Sequence, residues 1–413
     1  MGVTVVHLPP GTRGRSVRNL FFLLAIILVN YTLGRPSPVD IAFLCALVTT
    51  VFCHQTLTLR GITYFTLVSI WTFGLYYSSL PYTDDPEVTY QLMKISYAIS
   101  ISICACLTSM HWNSRYLRLF LRVWILSSVI ASILGTIGFV TGDENLTWDG
   151  RAKGFLDDPN MYGAFLLPGL MAAIYMVFRA ERRWLYVLAL GMLTLGIFLS
   201  FSRVAIGAYL LLGGGLAIFL NKERPLRMIA YLLVAVLVVA VIGGIALLVI
   251  DNAGAKFADR LTLAKDYDLG EYGRLNRYFL AADLILTHPE GLGTLQFIKS
   301  FPEPIHNFWL SSFMNYGWGA GFAWTAIVCF GVILSWRNYK RTQDPVLIVI
   351  LLGWLGIYFC ALLHEAERWR HLWLFTGLLW GINARNWDVP RPAFEPAPIE
   401  RRSHMRQTRP ALA

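Results

Sequence analysis

Apolar runs of about twenty residues recur along the chain, separated by short islands that hold most of its charge. A run of that length lets an α-helix cross the hydrocarbon core, where every backbone N–H and C=O must be paired internally. Twelve can be placed, at 17–34, 39–57, 62–80, 88–108, 117–140, 160–178, 184–201, 203–220, 228–250, 307–335, 345–363 and 371–384. The predicted fold class is all-α, a polytopic integral membrane protein of about 12 transmembrane helices with a long loop between the ninth and tenth. The seventh and eighth runs meet at Ser202, so a tight turn must join them. Composition agrees, with 56% hydrophobic and only 15% charged residues, against about a quarter charged in a soluble domain. Cys45, Cys53, Cys104, Cys106, Cys329 and Cys360 all fall inside runs, which suits apolar packing better than disulfides or a metal site. No small-residue cleavage site follows the first run, so it reads as an uncleaved helix.

Basic residues give the orientation. Arg13, Arg15 and Arg18, Arg60, Arg115 and Arg118, Arg179, Arg182 and Arg183, Lys222, Arg224 and Arg227, Arg337, Lys340 and Arg341, and the tail from Arg385 occupy alternate loops. Twelve spans put all of them in the cytoplasm, as the positive-inside rule requires. Residues 1–16 form a cytoplasmic N-terminus, 17–384 the membrane domain, and 385–413 a Pro- and Arg-rich disordered cytoplasmic tail. The net charge of +10 is then topological, with no nucleic-acid partner.

Two opposite-side segments are long, 141–160 and 251–306. In the second, Asp268 and Glu271 have capping-box spacing, and Leu275, Phe279, Ala282 and Leu286 recur as one helical face. Pro289 and Gly291 end that helix. Arg151, Lys153, Arg203, Arg274 and Arg277 lie on this side against the topological preference. Converging guanidiniums would suit an anionic group such as phosphate; snorkelling, or ion pairs with Asp157, Asp158 or Glu271, is the alternative. The balance favours function for Arg203 and Arg274 and structure for Arg277 and Lys153. His306 could be a general base kept neutral by nearby arginines, or an interfacial anchor beside Asn307 and Trp309. The last loop packs His364, Glu365, Glu367, Arg368, Arg370 and His371 together. It reads as an ion-paired rim in which Arg368 or Arg370 could face a substrate. No phosphate-loop, zincin or serine-hydrolase motif occurs, and Lys94 is the main charge within a span.

"GRAKGFLDDPN", "LSFSR", "YGRLNRYFLAADLILTHPEGLG" and "HNFWLSSFMNYGWGAG" stand in this order within residues 150–335. Together they resemble the motifs of the O-antigen ligase and polymerase superfamily, except for Asn315, where the pattern often carries glutamate. The resemblance implies a membrane-embedded GT-C type glycosyltransferase in the bacterial inner membrane, with no cofactor and no metal. It would move a glycan from undecaprenyl diphosphate to lipid A-core or another glycan acceptor, among membrane lipids, on the periplasmic face. Arg151, Arg203 and Arg274 would hold the donor diphosphate, and His306 would activate the acceptor. Asn160, Arg277, Asn307 and Arg368 would support them. A ligase is the leading expectation, a polymerase the nearest rival, and a polysaccharide-lipid flippase or other transporter a more remote one.

Overall fold

The computed structural model describes residues 12–31, 37–52, 58–222, 273–301 and 303–387. They are mostly helical. Among the described residues up to 222 the α-helices are α1 (Thr12–Leu28), α2 (Pro38–Phe52), α3 (Leu59–Ser79), α4 (Pro86–Ser109), α5 (Ser114–Thr141), α6 (Pro159–Arg179), α7 (Arg183–Leu199) and α8 (Arg203–Asn221). From residue 273 onwards come α9 (Arg274–Thr287), α10 (Gln296–Ser300), α11 (Phe308–Met314), α12 (Gly317–Thr342), α13 (Val346–Ala361) and α14 (Arg370–Gly381). Two short strands, β1 (Thr147–Trp148) and β2 (Arg151–Ala152), pair antiparallel. By length and composition α4, α5, α6, α8 and α12 can cross a membrane, and the shorter α2, α7 and α13 are apolar. This is the build of an all-α, multi-pass membrane protein.

Starts of helices are legible locally. Asp85 and Asp158 each cap a helix whose first residue is proline, and their side chains accept from Glu87 N and Asn160 N. Proline costs nothing there because that N–H has no helical partner. Between helices small residues set the spacing, as expected where lipid supplies no hydrophobic drive to associate. A Cβ on Gly377 of α14 would run into the Ser102 carbonyl of α4, and one on Gly353 of α13 would lie 3.1 Å from Pro168 of α6. Helix α6 is the hub, with every residue from Met161 to Met176 buried. Gly377→Val should cost about 1–3 kcal/mol by overpacking and lower the apparent Tm in detergent. Gly191→Ala, where a Cβ meets nothing within 4 Å, should not lower it.

Several expectations need correction. The run 307–335 is broken: α11 and α12 are separated at Asn315–Tyr316. The Pro289–Gly293 loop docks into the break, with Leu292 N donating to Met314 O (2.9 Å), Gly293 N to Asn315 O (2.8 Å) and Trp318 N to Pro289 O (2.9 Å). Gly291 and Gly317 both have positive φ, 87° and 81°, and a Cβ on Gly291 would lie 2.5 Å from Gly317 N. Helix α9 exists, but its predicted apolar face points outward, Phe279 being 76% and Leu286 71% exposed. Its packed face carries Arg277 and Ala281, because the bonds of Arg277 to residues 303–304 fix the helix rotation. Lys94 is half-buried rather than enclosed, its Nζ 4.0 Å from the Tyr90 ring centroid. The predicted tail begins ordered, with Trp387 Nε1 donating to Trp112 O at 3.0 Å. The ninth run 228–250, the capping pair Asp268 and Glu271, and residues 388–413 lie outside the described residues.

Candidate functional site

The turns after α3, α5 and α7, the segment before α11 and the turn after α13 meet at one end of the bundle. Ser79 hydrogen-bonds Thr294 at 2.8 Å, and Lys299 pairs with Asp85 at 2.8 Å. At the opposite end Arg118 pairs with Asp344 at 3.4 Å, and Arg341 donates to the Arg385 carbonyl at 3.0 Å. Loops expected to share a side are thus in contact with one another.

Arg151 is presented by the β1–β2 hairpin, turned at Asp149 and Gly150 with φ of 53° and 65°. Two consecutive positive φ values make the type I′ turn that Asp-Gly favours. Arg151 Nε donates to the Ser200 carbonyl at 2.8 Å and Nη2 to Asn160 Oδ1 at 2.9 Å. Asn160 lies in the first turn of α6, its N–H donating to Asp158 Oδ1 at 2.7 Å. Burial raises the Asp158 carboxyl, opposed by the Asn160 N–H and by Arg151.

Ser200 belongs to the tight turn between α7 and α8, where Phe201 takes φ 49°. Arg203 follows as the first residue of α8. It is therefore tied to Arg151 through the backbone, but it is not among the residues lining the cavity described next.

His306 lies in the segment leading to α11, with a left-handed φ of 53°. Such a conformation costs about 1–3 kcal/mol in a residue other than glycine and persists where surroundings enforce it. The enforcement comes from α9. Arg277, 2% exposed, pairs with Glu303 at 3.1 Å and donates to the Pro304 carbonyl at 2.5 Å. The Tyr278 hydroxyl reaches the His306 carbonyl at 3.4 Å. Glu303 Oε2 stands 4.0 Å from His306 Nε2, so a carboxylate flanks the imidazole where the sequence led us to expect arginines. Asn307 caps α11, accepting from Leu310 N at 3.0 Å, and is structural.

Arg151, Asn160, His306 and Arg368 converge on one cavity of about 750 Å³, with His364, Glu303, Glu365, Asp149, Asp157, Asp158, Trp148 and Trp369 among its other walls. Arg277 backs Glu303. Arg274 begins α9, and its side chain lies outside the described residues. Arg370 is elsewhere, paired with Asp40 of α2 at 3.2 Å. Asp149 and Glu303 are the titratable members that sequence reasoning did not name, and it read His364 and Glu365 only as part of an ion-paired rim. Carboxylates on this side break no topological rule, which is why they raised no signal.

Burial, and then the neighbouring Glu367, push the Glu365 carboxyl up to about 8. Glu367 is buried beneath it, accepting from Ser311 Oγ at 2.5 Å, and Ser311 in turn accepts from Asn315 Nδ2 at 2.8 Å. Among the described residues no group of three His, Cys, Asp or Glu side chains is arranged for a metal ion. The cavity walls offer guanidiniums to an anion, and carboxylates and imidazoles to a hydroxyl. No protein-family model and no curated protein matches this chain.

Proposed function

We propose that the protein is an O-antigen ligase-like glycosyltransferase of the bacterial inner membrane. It has twelve spans, both termini in the cytoplasm, and a cavity open to the periplasm. It transfers a glycan from undecaprenyl diphosphate to lipid A-core without a metal. The observation that carries this reading is the convergence of Arg151, His306 and Arg368, from three separate loops, on one cavity at the end of a helical bundle. Arg151 and Arg368 hold the diphosphate and stabilise the charge that it gains as the glycosidic bond breaks. Arg203 flanks them across the Ser200 turn, less directly than its sequence position suggested. His306, beside Glu303, takes the proton of the acceptor hydroxyl. Trp148, which is exposed, offers an apolar face to sugar rings, and the carboxylates of the walls accept from sugar hydroxyls. Glu367, bonded to Ser311, brings a carboxylate to the cluster in which Asn315 replaces the family's glutamate.

The lipopolysaccharide profile of a deletion strain tests the proposal. Long chains should be made but left on the carrier, with bare lipid A-core. Single repeats capping the core would mean a polymerase, and an unchanged profile would overturn both readings.

A pH profile checks the wall chemistry. Protonated at neutral pH, Glu365 adds no negative charge beside the donor; above about 8 it ionises and repels the diphosphate. Transfer should fall as pH rises through that value, and Glu365→Gln should flatten this limb in a kcat/KM profile.

A further inference from the structure

Helix α12 carries its own ruler for the membrane. Trp318 and Trp336, both exposed, stand about five turns apart on one side of the helix. The exposed Phe322, Cys329 and Ile333 fall on the stripe between them. At 1.5 Å per residue the two tryptophans are separated by about 27 Å, close to the roughly 30 Å of hydrocarbon. Tryptophan favours both borders of that layer. Lys340 Nζ, 5.1 Å from the Trp336 ring centroid, marks the basic end, so Trp318 marks the opposite border. Its Nε1 donates to the Ile285 carbonyl, in the last turn of α9, at 2.7 Å.

From that border both α11 and α9 run back along α12. Phe313 meets Phe322 edge-on with ring centroids 5.2 Å apart, Phe308 meets Trp324 at 4.6 Å, and Trp309 Nε1 donates to Thr325 Oγ1 at 2.9 Å. Thr325 lies about 10 Å below Trp318 along α12. Helix α9 gives the same depth. Tyr278, whose hydroxyl reaches the His306 carbonyl at 3.4 Å, lies about 10 Å along α9 from Ile285. The start of α9 and the segment bearing His306 are thus well inside the border.

The exposed side of α9 is divided to suit this depth. Phe279, Ala282 and Leu286 form an apolar stripe, with Asn276, Asp283 and Thr287 as a polar flank beside it and Arg277 buried opposite. Asp283 is only about 3 Å along the axis from Ile285, so its carboxylate reaches water at the border. We propose that Phe279, Ala282 and Leu286 lie against the acyl chains of the leaflet on this side. Helix α9 is then a half-immersed helix standing between lipid and the segment that carries His306. Continuity favours lipid as the occupant: Trp309 and Phe322, at the same depth, are also exposed, and at that depth the exposed face of a span meets acyl chains. On its other face α9 holds Glu303 and the Pro304 carbonyl through Arg277, so contact with lipid braces a wall of the cavity. The inference needs α12 to span the membrane and needs no transferase chemistry.

The test is nitroxide collision accessibility in the purified full chain, held in phosphatidylcholine nanodiscs. p-Acetylphenylalanine, substituted singly for Phe279, Leu286, Phe322 or Glu144, carries the label and leaves the native cysteines in place. All four positions are exposed, so the label displaces no packed side chain. Phe322 is the lipid reference and Glu144, in the loop after α5, the aqueous one. The ratio of collisions with oxygen to collisions with a nickel chelate should rise in the order 144, 286, 322, 279, and be several-fold higher at 279 than at 144. Equal ratios at 279 and 144 would put α9 in water and overturn the assignment. So would low collision with both reagents at 279 and 286, the mark of a stripe covered by protein, whether another part of this chain or a second copy. A ratio at 322 no higher than at 144 would remove the ruler and the inference with it. Because the measurement needs no turnover, a chain that transfers no glycan would still give it a clear answer.

Discussion

Replacing His306 with asparagine lowers the rate of glycan transfer by about 10²–10⁴-fold, the range contributed by a positioned acid–base group. Asparagine is the informative choice because His306 is held at φ 53°. Asparagine tolerates the left-handed region better than alanine, so the backbone of the segment before α11 is kept while the base is lost. His306→Ala would combine the chemical loss with local strain. The asparagine variant should keep the apparent Tm of the parent and its KM for the donor to within a few-fold, with the loss falling on kcat. Reconstituted transfer of labelled glycan to lipid A-core reads all three quantities. A variant with near-normal kcat would remove His306 from the chemistry and leave it as an anchor between α9 and α11.

Arg151→Lys should cost about 10²–10³ in kcat/KM, the loss typical when one donor to a developing negative charge is removed. Arg151 holds the Ser200 carbonyl through Nε and Asn160 through Nη2 while lining the cavity. A lysine ammonium is a single point with no planar fork, so it cannot bridge both partners and still face the donor. Asn160→Ala removes one of those bonds and keeps the guanidinium, and should cost far less. Equal losses in the two variants would make Arg151 a structural tie between the hairpin and the α7–α8 turn. Full activity of the lysine variant would mean that charge alone suffices.

Much of the bundle could be read from local signals. Hydropathy placed the long helices and Ser202 the tight turn before α8, while the Asp-Pro pairs that cap α4 and α6 were present in the sequence without being used. The break between α11 and α12 was not legible, because the run through Asn315 and Gly317 stays apolar. What splits it is a distant loop, Pro289 to Gly293, that pairs with the open backbone. The face of α9 was misjudged for a related reason. Helical spacing shows which residues share a face, while the bonds of Arg277 to Glu303 and Pro304 decide which face turns inward.

For the site, Arg151 stood out because it opposed the positive-inside bias. Arg203 stood out in the same way, yet it flanks the cavity instead of lining it. Asn307 looked like part of a histidine motif and serves as a helix cap, a role its place before "FWL" already permitted. Glu303, and the place of the rim residue Glu365 in the cavity, could be found only in three dimensions, since a carboxylate in such a loop is unremarkable until it faces an imidazole or loses its solvent.

The most direct test of the central claim is transfer by the purified protein in liposomes, with a defined undecaprenyl-diphosphate-linked glycan and lipid A-core as the only substrates and EDTA in excess. The account predicts glycosylated lipid A-core at the same rate with and without the chelator, and a rate about 10²–10⁴-fold lower from the His306→Asn protein. No product under any condition, or product only with added divalent metal, would contradict it.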